Sequence, residues 1–213
     1  MRNLFLASCS AFAVLTTSAQ AQTAAAGAEF RHPCEGSPWW VETDAKFSDF
    51  DFWLGEWQVY DAESGELRGF DDVEKVLEGC VVKQHWRQMD DNFTQPGLPW
   101  RLQGNSLSGI TAGGEWRQIW TDNNGGNLLF TGGYDENGRM SLVSEWYSVP
   151  GQDGETIRMR NFWHWEPQAD GTIKNWGFVQ SPDESAEKRR YFNIVYRKSA
   201  VGSAAAQLRK PKE

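Results

Sequence analysis

Histidine and cysteine are scarce in this chain of 213 residues, which holds three of each. His32, His85 and His164 are widely separated and make no ligand pair on one strand, so a zinc site is not expected. The cysteines form no C-x-x-C, which removes the spacing of a metal or redox site. Phosphate-loop and dinucleotide fingerprints are absent as well, and no cofactor is expected. No sequence repeat occurs, and no stretch sustains a 3.6-residue apolar period. The one long apolar stretch, Leu4 to Thr16, falls short of the roughly 20 residues that a membrane span needs. No second one follows, so membrane insertion is not expected.

That stretch has the layout of a secretory signal instead. Arg2 supplies the positive end and Ala19-Gln20-Ala21 a small-residue cleavage site, so residues 1–21 read as a signal peptide and Gln22 as the mature start. Leu6-Ala7-Ser8-Cys9 has the look of a lipoprotein acceptor site but precedes most of the apolar stretch, which a lipidated cysteine would follow. Cleavage leaves Cys34 and Cys80 in a chain bound for the periplasm or the exterior, where disulfides persist. A bridge between them would restrict the unfolded chain by roughly 4 kcal/mol. Two buried free thiols are the alternative. Losing Arg2 takes the formal net charge from -8 to -9, which disfavours nucleic acid and anionic lipid as partners through repulsion.

Residues 22–46 read as a flexible leader tethered at Cys34, 47–198 as one domain, and 199–213 as a disordered, low-complexity tail. The middle is a series of short segments rich in Val, Ile, Phe, Tyr and Trp. They predict strands at 52–61, 68–77, 80–89, 101–111, 115–122, 127–134, 139–148, 156–166, 172–181 and 189–198. The turns between them carry Asn-Gly, Asp-Gly and Gly-Gly, which supply the positive φ of tight hairpins. Ten strands joined by short hairpins form an antiparallel meander, and closure into an all-β, up-and-down barrel removes both edges.

Alternation then groups side chains. Val82, Gln84, Trp86 and Gln88 share one face of the third strand, Trp116, Gln118, Trp120 and Asp122 one face of the fifth, and Met159, Asn161, Trp163 and Trp165 one face of the eighth. The opposite faces hold most of the charge, so the tryptophan faces point inward. Trp146 of the seventh strand joins them as a candidate.

The run Phe50-Asp51-Phe52-Trp53-Leu54-Gly55-Glu56-Trp57-x-Val59, with Gly79-Cys80, Trp116-x-Gln118-x-Trp120-x-Asp122, Met140-x-Leu142, Ser181-x-Asp183 and Tyr196-Arg197, resembles the DUF1579-type family over residues 47–198. These are lipocalin-like (calycin-like) bacterial proteins of largely unknown function, and no activity comes with the match. The resemblance implies that Gly55 and Trp57 close one end of the barrel, with Arg197 laid over the Trp57 indole. Gln84 stands where relatives often carry Glu, and Trp163-His164-Trp165 is unusually aromatic for its place.

Twelve tryptophans in one domain exceed what filling a core requires, and indole faces beside carboxamides hold planar or sugar-like ligands. Gln84, Trp86, Trp116, Gln118, Trp120, Asp122, Trp146 and Trp163 are therefore the candidate ligand-binding residues. The expected partner is a small organic molecule, with nucleic acid excluded by charge. A cofactor-free acid/base enzyme (isomerase, cyclase or lyase) is the first alternative, with Asp49, Asp51, Glu56 or Asp122 as the acid/base. A structural or envelope interaction module with a filled lumen is the second. His164 as a single haem ligand is disfavoured because its parity opposes Trp163 and Trp165. Gly104-Asn105-Ser106-Leu107-Ser108-Gly109 lacks the context of a nucleophile elbow. The long connection from Asp90 to Trp100, with Phe93, Leu98 and Trp100, reads either as a lid or as a surface loop pinned by its prolines.

Overall fold

The computed structural model describes Cys34 and residues 45–93, 96–151, 154–182 and 187–199. The expected signal peptide, most of the leader and nearly all of the tail lie outside the described residues, as does His32. A short 3-10 helix, Asp51–Trp53, leads into β1 (Gly55–Asp61), β2 (Leu67–Val76), β3 (Val81–Gln88), β4 (Gln103–Ile110), β5 (Trp116–Asp122), β6 (Asn127–Tyr134), β7 (Met140–Ser144), β8 (Tyr147–Pro150), β9 (Thr156–Pro167), β10 (Ile173–Gln180) and β11 (Arg189–Lys198).

Each strand pairs antiparallel with its neighbour in sequence, except that β7 as well as β8 pairs with β9. β11 returns to β1, with Val59 opposite Tyr196. Ten strands thus close an up-and-down barrel of calycin type, and β8 extends β7 along β9. The single predicted strand at 139–148 is broken at Glu145 and Trp146, where pairing with β9 shifts from Val143 opposite Phe162 to Tyr147 opposite Met159.

The hairpins close by a repeated device. Asp122 accepts from the backbone N–H of Asn124 and Gly126 at 2.9 and 2.8 Å, and Asp135 from those of Asn137 and Arg139 at 2.9 and 3.0 Å. Each aspartate ends its strand by offering the turn amides a partner that the ladder no longer supplies. The β2–β3 turn differs in holding Leu77 and Glu78 at φ 52° and 58°, a left-handed backbone unfavourable for residues bearing a Cβ. Cys80, at the end of that turn, is at bonding distance from Cys34, with their Cα atoms 5.7 Å apart.

Burial alternates as period two requires. On β5, Trp116, Gln118 and Trp120 are buried while Arg117, Ile119 and Thr121 are exposed; on β3, Val82, Gln84, Trp86 and Gln88 are buried. One end of the barrel is filled solid. Phe50 meets Trp116 edge-on at 4.8 Å and Trp165 at 5.9 Å, and Trp53 meets Trp165 at 5.3 Å. The Trp57 indole N–H donates to the Trp53 carbonyl at 2.7 Å, which fixes the short helix as a plug. Trp116 Nε1 donates to Asp49 at 3.1 Å.

The cation over the Trp57 ring is Lys198, its Nζ 3.8 Å from the ring centroid; Arg197 lies over Tyr60 at 4.8 Å. The expected Arg197–Trp57 stack is therefore corrected. β11 meets β1 with Trp57 opposite Lys198 and Gln58 opposite Arg197, so alternation directs Arg197 to the outer face. Among the described residues no helix is long and apolar enough to cross a membrane.

Candidate functional site

Above this floor the barrel is hollow, with a cavity of about 640 Å3 that opens at the other end. Its walls are ring faces. Trp86, Trp120, Trp163 and Phe192 line it, and most of them lie flat because glycine stands behind them. A Cβ on Gly104 would come within 2.2 Å of the Trp120 ring, one on Gly69 within 2.8 Å of the Trp86 ring, and one on Gly177 within 2.2 Å of the Phe192 ring. Each missing side chain lets a ring lie against the wall instead of projecting into the lumen.

The indole N–H groups of these three tryptophans are already occupied, whereas that of Trp165, which also lines the cavity, has no partner. Trp86 donates to Gln88 at 3.0 Å and Trp120 to Asp122 at 2.8 Å, each to the acceptor two residues on, while Trp163 donates to the Tyr191 hydroxyl. What these residues offer a ligand is therefore π surface, with the indoles held rigid. Trp163 stacks on Phe130 at 4.2 Å and meets Trp120 edge-on at 5.7 Å.

Polar groups are few and oriented. Gln84 donates to Asp71 and accepts from Ser106, both at 2.8 Å, so its carboxamide has one orientation. Asn161 accepts from the Tyr147 hydroxyl at 3.1 Å, which leaves its amide N–H groups toward the cavity that it lines. Asn175 donates to the His164 carbonyl at 2.9 Å, which leaves its side-chain oxygen as an acceptor there.

Asp71 lies behind this wall, wholly buried, off the cavity surface and screened from it by Gln84 and Tyr196. Burial is the main reason its carboxyl is pushed up to about 8; the Gln84 hydrogen bond and the nearby Tyr196 hydroxyl oppose the rise. Its Oδ1 has no partner in hydrogen-bonding geometry. Burial beside Asp71 likewise raises the Tyr196 phenol far above its ordinary range.

The rim is ionic, with one cation between two carboxylates. Arg68 bridges Asp61 and Asp90 at 2.8 and 2.5 Å. Turn amides, Ser64 foremost, together with Arg68 hold the Asp61 carboxyl well below the usual carboxylate range. Asn92, Phe93 and Pro96 from the β3–β4 connection close part of the mouth. The Phe93 ring meets Tyr191 edge-on at 6.2 Å, and its carbonyl accepts from Asn124 at 2.8 Å. Leu98 and Trp100, expected beside Phe93 over the mouth, do not line the cavity.

Of the expected ligand-binding residues, Gln84, Trp86, Trp120, Asp122 and Trp163 come together on the cavity. Three do not. Trp116 belongs to the floor, and Gln118 is wholly buried off the cavity, with neither side-chain polar atom hydrogen-bonded. Trp146 lies outside the lumen between the guanidiniums of Arg158 and Arg160, at 5.5 and 4.7 Å. Position along the barrel axis separates the first two from the cavity, and the break between β7 and β8 turns Trp146 away.

No family model matches the chain, and no curated protein sequence matches it. The geometry has to carry the reading.

Among the candidate acids, Asp122 spends its oxygens on Trp120 and two turn amides, Asp49 accepts from Lys46 and Trp116, and Asp51 pairs with Lys75 at 2.5 Å. Ser106 faces Gln84 and has no base beside it. His164 is on the outer wall, stacked on Trp176 at 5.4 Å and bonded to Ser141 at 2.8 Å, and burial lowers its pKa. Among the described residues no group of three His, Cys, Asp or Glu is arranged to hold a metal ion.

Sequence reasoning passed over Asp71, Asn175, Tyr191, Phe192 and the Arg68 clamp. Asp71 was within reach, since it shares the inward parity of Val73. Tyr191 and Phe192 were not. β11 bulges against β10 between the Gly177–Phe192 and Phe178–Arg190 pairs, so two consecutive residues reach the lumen where alternation allows one.

Proposed function

We propose that this protein binds a small, uncharged, largely aromatic or apolar organic molecule inside the barrel. One observation carries the reading: a cavity of about 640 Å3 walled by Trp86, Trp120, Trp163 and Phe192, the three indoles with their N–H groups already bonded and three of the four rings seated over glycines at 69, 104 and 177. That volume suits a ligand of drug-like size. Asn161 and Asn175 supply a donor and an acceptor to orient it. Asp61, Arg68 and Asp122, the charged groups that line the space, are all engaged with protein partners, so a charged ligand gains little to offset its desolvation. The reading extends to an exported, DUF1579-type protein acting in the periplasm or outside the cell. The Cys34–Cys80 pair at disulfide distance supports an oxidising compartment.

Acid/base catalysis in the same barrel is the second reading. Asp71, with its carboxyl raised to about 8, supports it as a proton reservoir linked to the cavity through Gln84. Its complete burial ranks catalysis below binding, because a general acid must come within hydrogen-bond reach of the substrate. The filled-lumen module ranks last because of the cavity itself.

Native mass spectrometry of protein purified from its own host should reveal a retained ligand. Titration with that ligand should quench indole fluorescence, and Trp120→Ala should weaken binding about tenfold, since one aromatic contact is worth roughly 1 kcal/mol beyond its area. Unchanged affinity in a folded Trp120→Ala protein would remove the lumen as the site.

A further inference from the structure

The glutamines on the cavity are spent on the protein. Gln84 is bonded at both ends of its carboxamide, and so is Gln88, which accepts from Trp86 and donates to Asp90. Tyr191 and Asn175 line the same space but are pinned on one side only, each by a partner that can play a single role. Trp163 Nε1 donates to the Tyr191 hydroxyl. An indole nitrogen only donates, so the Tyr191 oxygen accepts there and its own proton is left without an acceptor among the described residues. Burial is the main reason this phenol is held far above its ordinary range, with the Trp163 hydrogen bond opposing the rise, so it stays a donor. Asn175 presents the opposite role. Its amide N–H donates to the His164 carbonyl at 2.9 Å; a backbone carbonyl only accepts, so the amide has one orientation and its oxygen is left as the acceptor.

The two groups stand at different depths. Tyr191 is at the mouth, against the Phe93 ring. Asn175 is near the floor, opposite Trp165 on β9 and Ile194 on β11, and Trp165 packs on Phe50 and Trp53 of the plug. From Ile194 to Tyr191 is three positions along β11, about 10 Å. Ring faces of Trp163 and Phe192 line the same wall. The floor end holds a second unmet group, since the buried Trp165 indole N–H has no partner. A hydroxyl both donates and accepts, so it suits that end. The mouth end asks for an acceptor. A carbonyl has two lone pairs, one for Tyr191 and one for the amide N–H of Asn161, whose oxygen is taken by Tyr147.

We propose that the ligand is a flat molecule of two or three fused rings that gives a hydroxyl proton to Asn175 near the floor and offers a carbonyl oxygen to Tyr191 at the mouth. This specification rests on the lumen being the binding site. It adds a direction to that reading: the hydroxyl end enters first, and the carbonyl end stays under Phe93.

The test uses full-length mature protein and three probes titrated by calorimetry: 6-acetyl-2-naphthol, 2-acetylnaphthalene without the hydroxyl, and 6-ethyl-2-naphthol without the carbonyl. Each single-group probe should bind about fivefold more weakly than 6-acetyl-2-naphthol, the size of one hydrogen bond. Tyr191→Phe should weaken the two ketones about fivefold and leave 6-ethyl-2-naphthol unchanged, whereas Asn175→Leu should weaken the two naphthols by a similar factor and leave 2-acetylnaphthalene unchanged. If Asn175→Leu fails to fold, the three probes on the native protein and on Tyr191→Phe still decide the matter. Trp120→Ala should weaken all three, because it reports on the lumen alone. Equal affinity for the three probes, equal losses from Tyr191→Phe across them, or the swapped pairing of variant and probe overturns the proposal while leaving the lumen as the site. No binding of any probe, or binding indifferent to Trp120→Ala, overturns the lumen reading and this one with it.

Discussion

At the floor of the barrel Trp53, Trp57, Trp116 and Trp165 pack against Phe50, Tyr196 and one another, with Trp165 and Tyr196 forming the bottom of the cavity. Nearer the mouth Trp86, Trp120 and Trp163 enclose about 640 Å3. The residue type is the same, and its surroundings decide the outcome. Floor indoles pack against Phe50 and Tyr196, rings with bulk of their own. Two of the wall indoles lie over glycines and are tethered to an acceptor two residues along the same strand. Tryptophan fills a barrel where its neighbours are large and walls a cavity where they are absent.

The sharpest way to break this contrast is Trp116→Ala. A wholly buried indole with an Asp49 hydrogen bond should cost about 3–5 kcal/mol on truncation, read by urea unfolding, against less for Trp120→Ala on the cavity wall. Equal losses would mean that both ends are packed alike.

Asp71 comes next. The fold raises its proton affinity, so this group's contribution to stability is complete below the ordinary carboxylate range near pH 4 and is lost as pH rises through about 8. Asp71→Asn keeps an acceptor for Gln84 and removes the titration. Between pH 5 and 8 the unfolding free energy of the native protein should fall by a few kcal/mol, at about 1.4 kcal/mol per unit where the group titrates, while the variant stays nearly flat and is the more stable at pH 8. Parallel profiles would show that Asp71 ionises normally.

Gly104→Ala tests the wall. Its Cβ would sit 2.2 Å from the Trp120 ring, so the indole must swing into the lumen, costing about 1–3 kcal/mol and reducing ligand capacity. Adding Trp120→Ala should return part of that stability, a coupling a double-mutant cycle reads directly. Additive effects would place the ring elsewhere.

The smallest expected difference concerns the floor's cation. Lys198→Ala should cost on the order of 1 kcal/mol through lost contact with Trp57, and Arg197→Ala less, about 0.5 kcal/mol, through Tyr60. The reverse order in thermal melts would favour the arginine stack drawn from the family resemblance.

How much of this was legible in the sequence depends on which property a residue expresses. Gln84, Trp86, Trp120 and Trp163 were placed on the lumen by parity alone, because a strand has only two faces and charge marks the outer one. Parity treated Trp116 and Gln118 in the same way, yet both stand too near the floor to reach the cavity. Trp146 failed because the strand carrying it breaks at Glu145 and Trp146, where the chain shifts its pairing with β9. Asp71 was missed through its company: a carboxylate in the parity of Val73 is visible, but its consequence requires knowing that Gln84, Ser106 and Tyr196 converge there.

By itself the sequence determined the strands and hairpins, the closure of a meander without crossovers, and which side of most strands turns inward. These are local properties, set by turn chemistry and by a side-chain period of two. Only the tertiary structure decided that the barrel is solid at one end and hollow at the other, that Lys198 rather than Arg197 covers Trp57, and that Trp146 lies outside the lumen against Arg158 and Arg160. Those outcomes depend on register, on one bulge, and on which glycine lies beneath which ring. They arise between strands distant in sequence, and no pattern along a single strand records them.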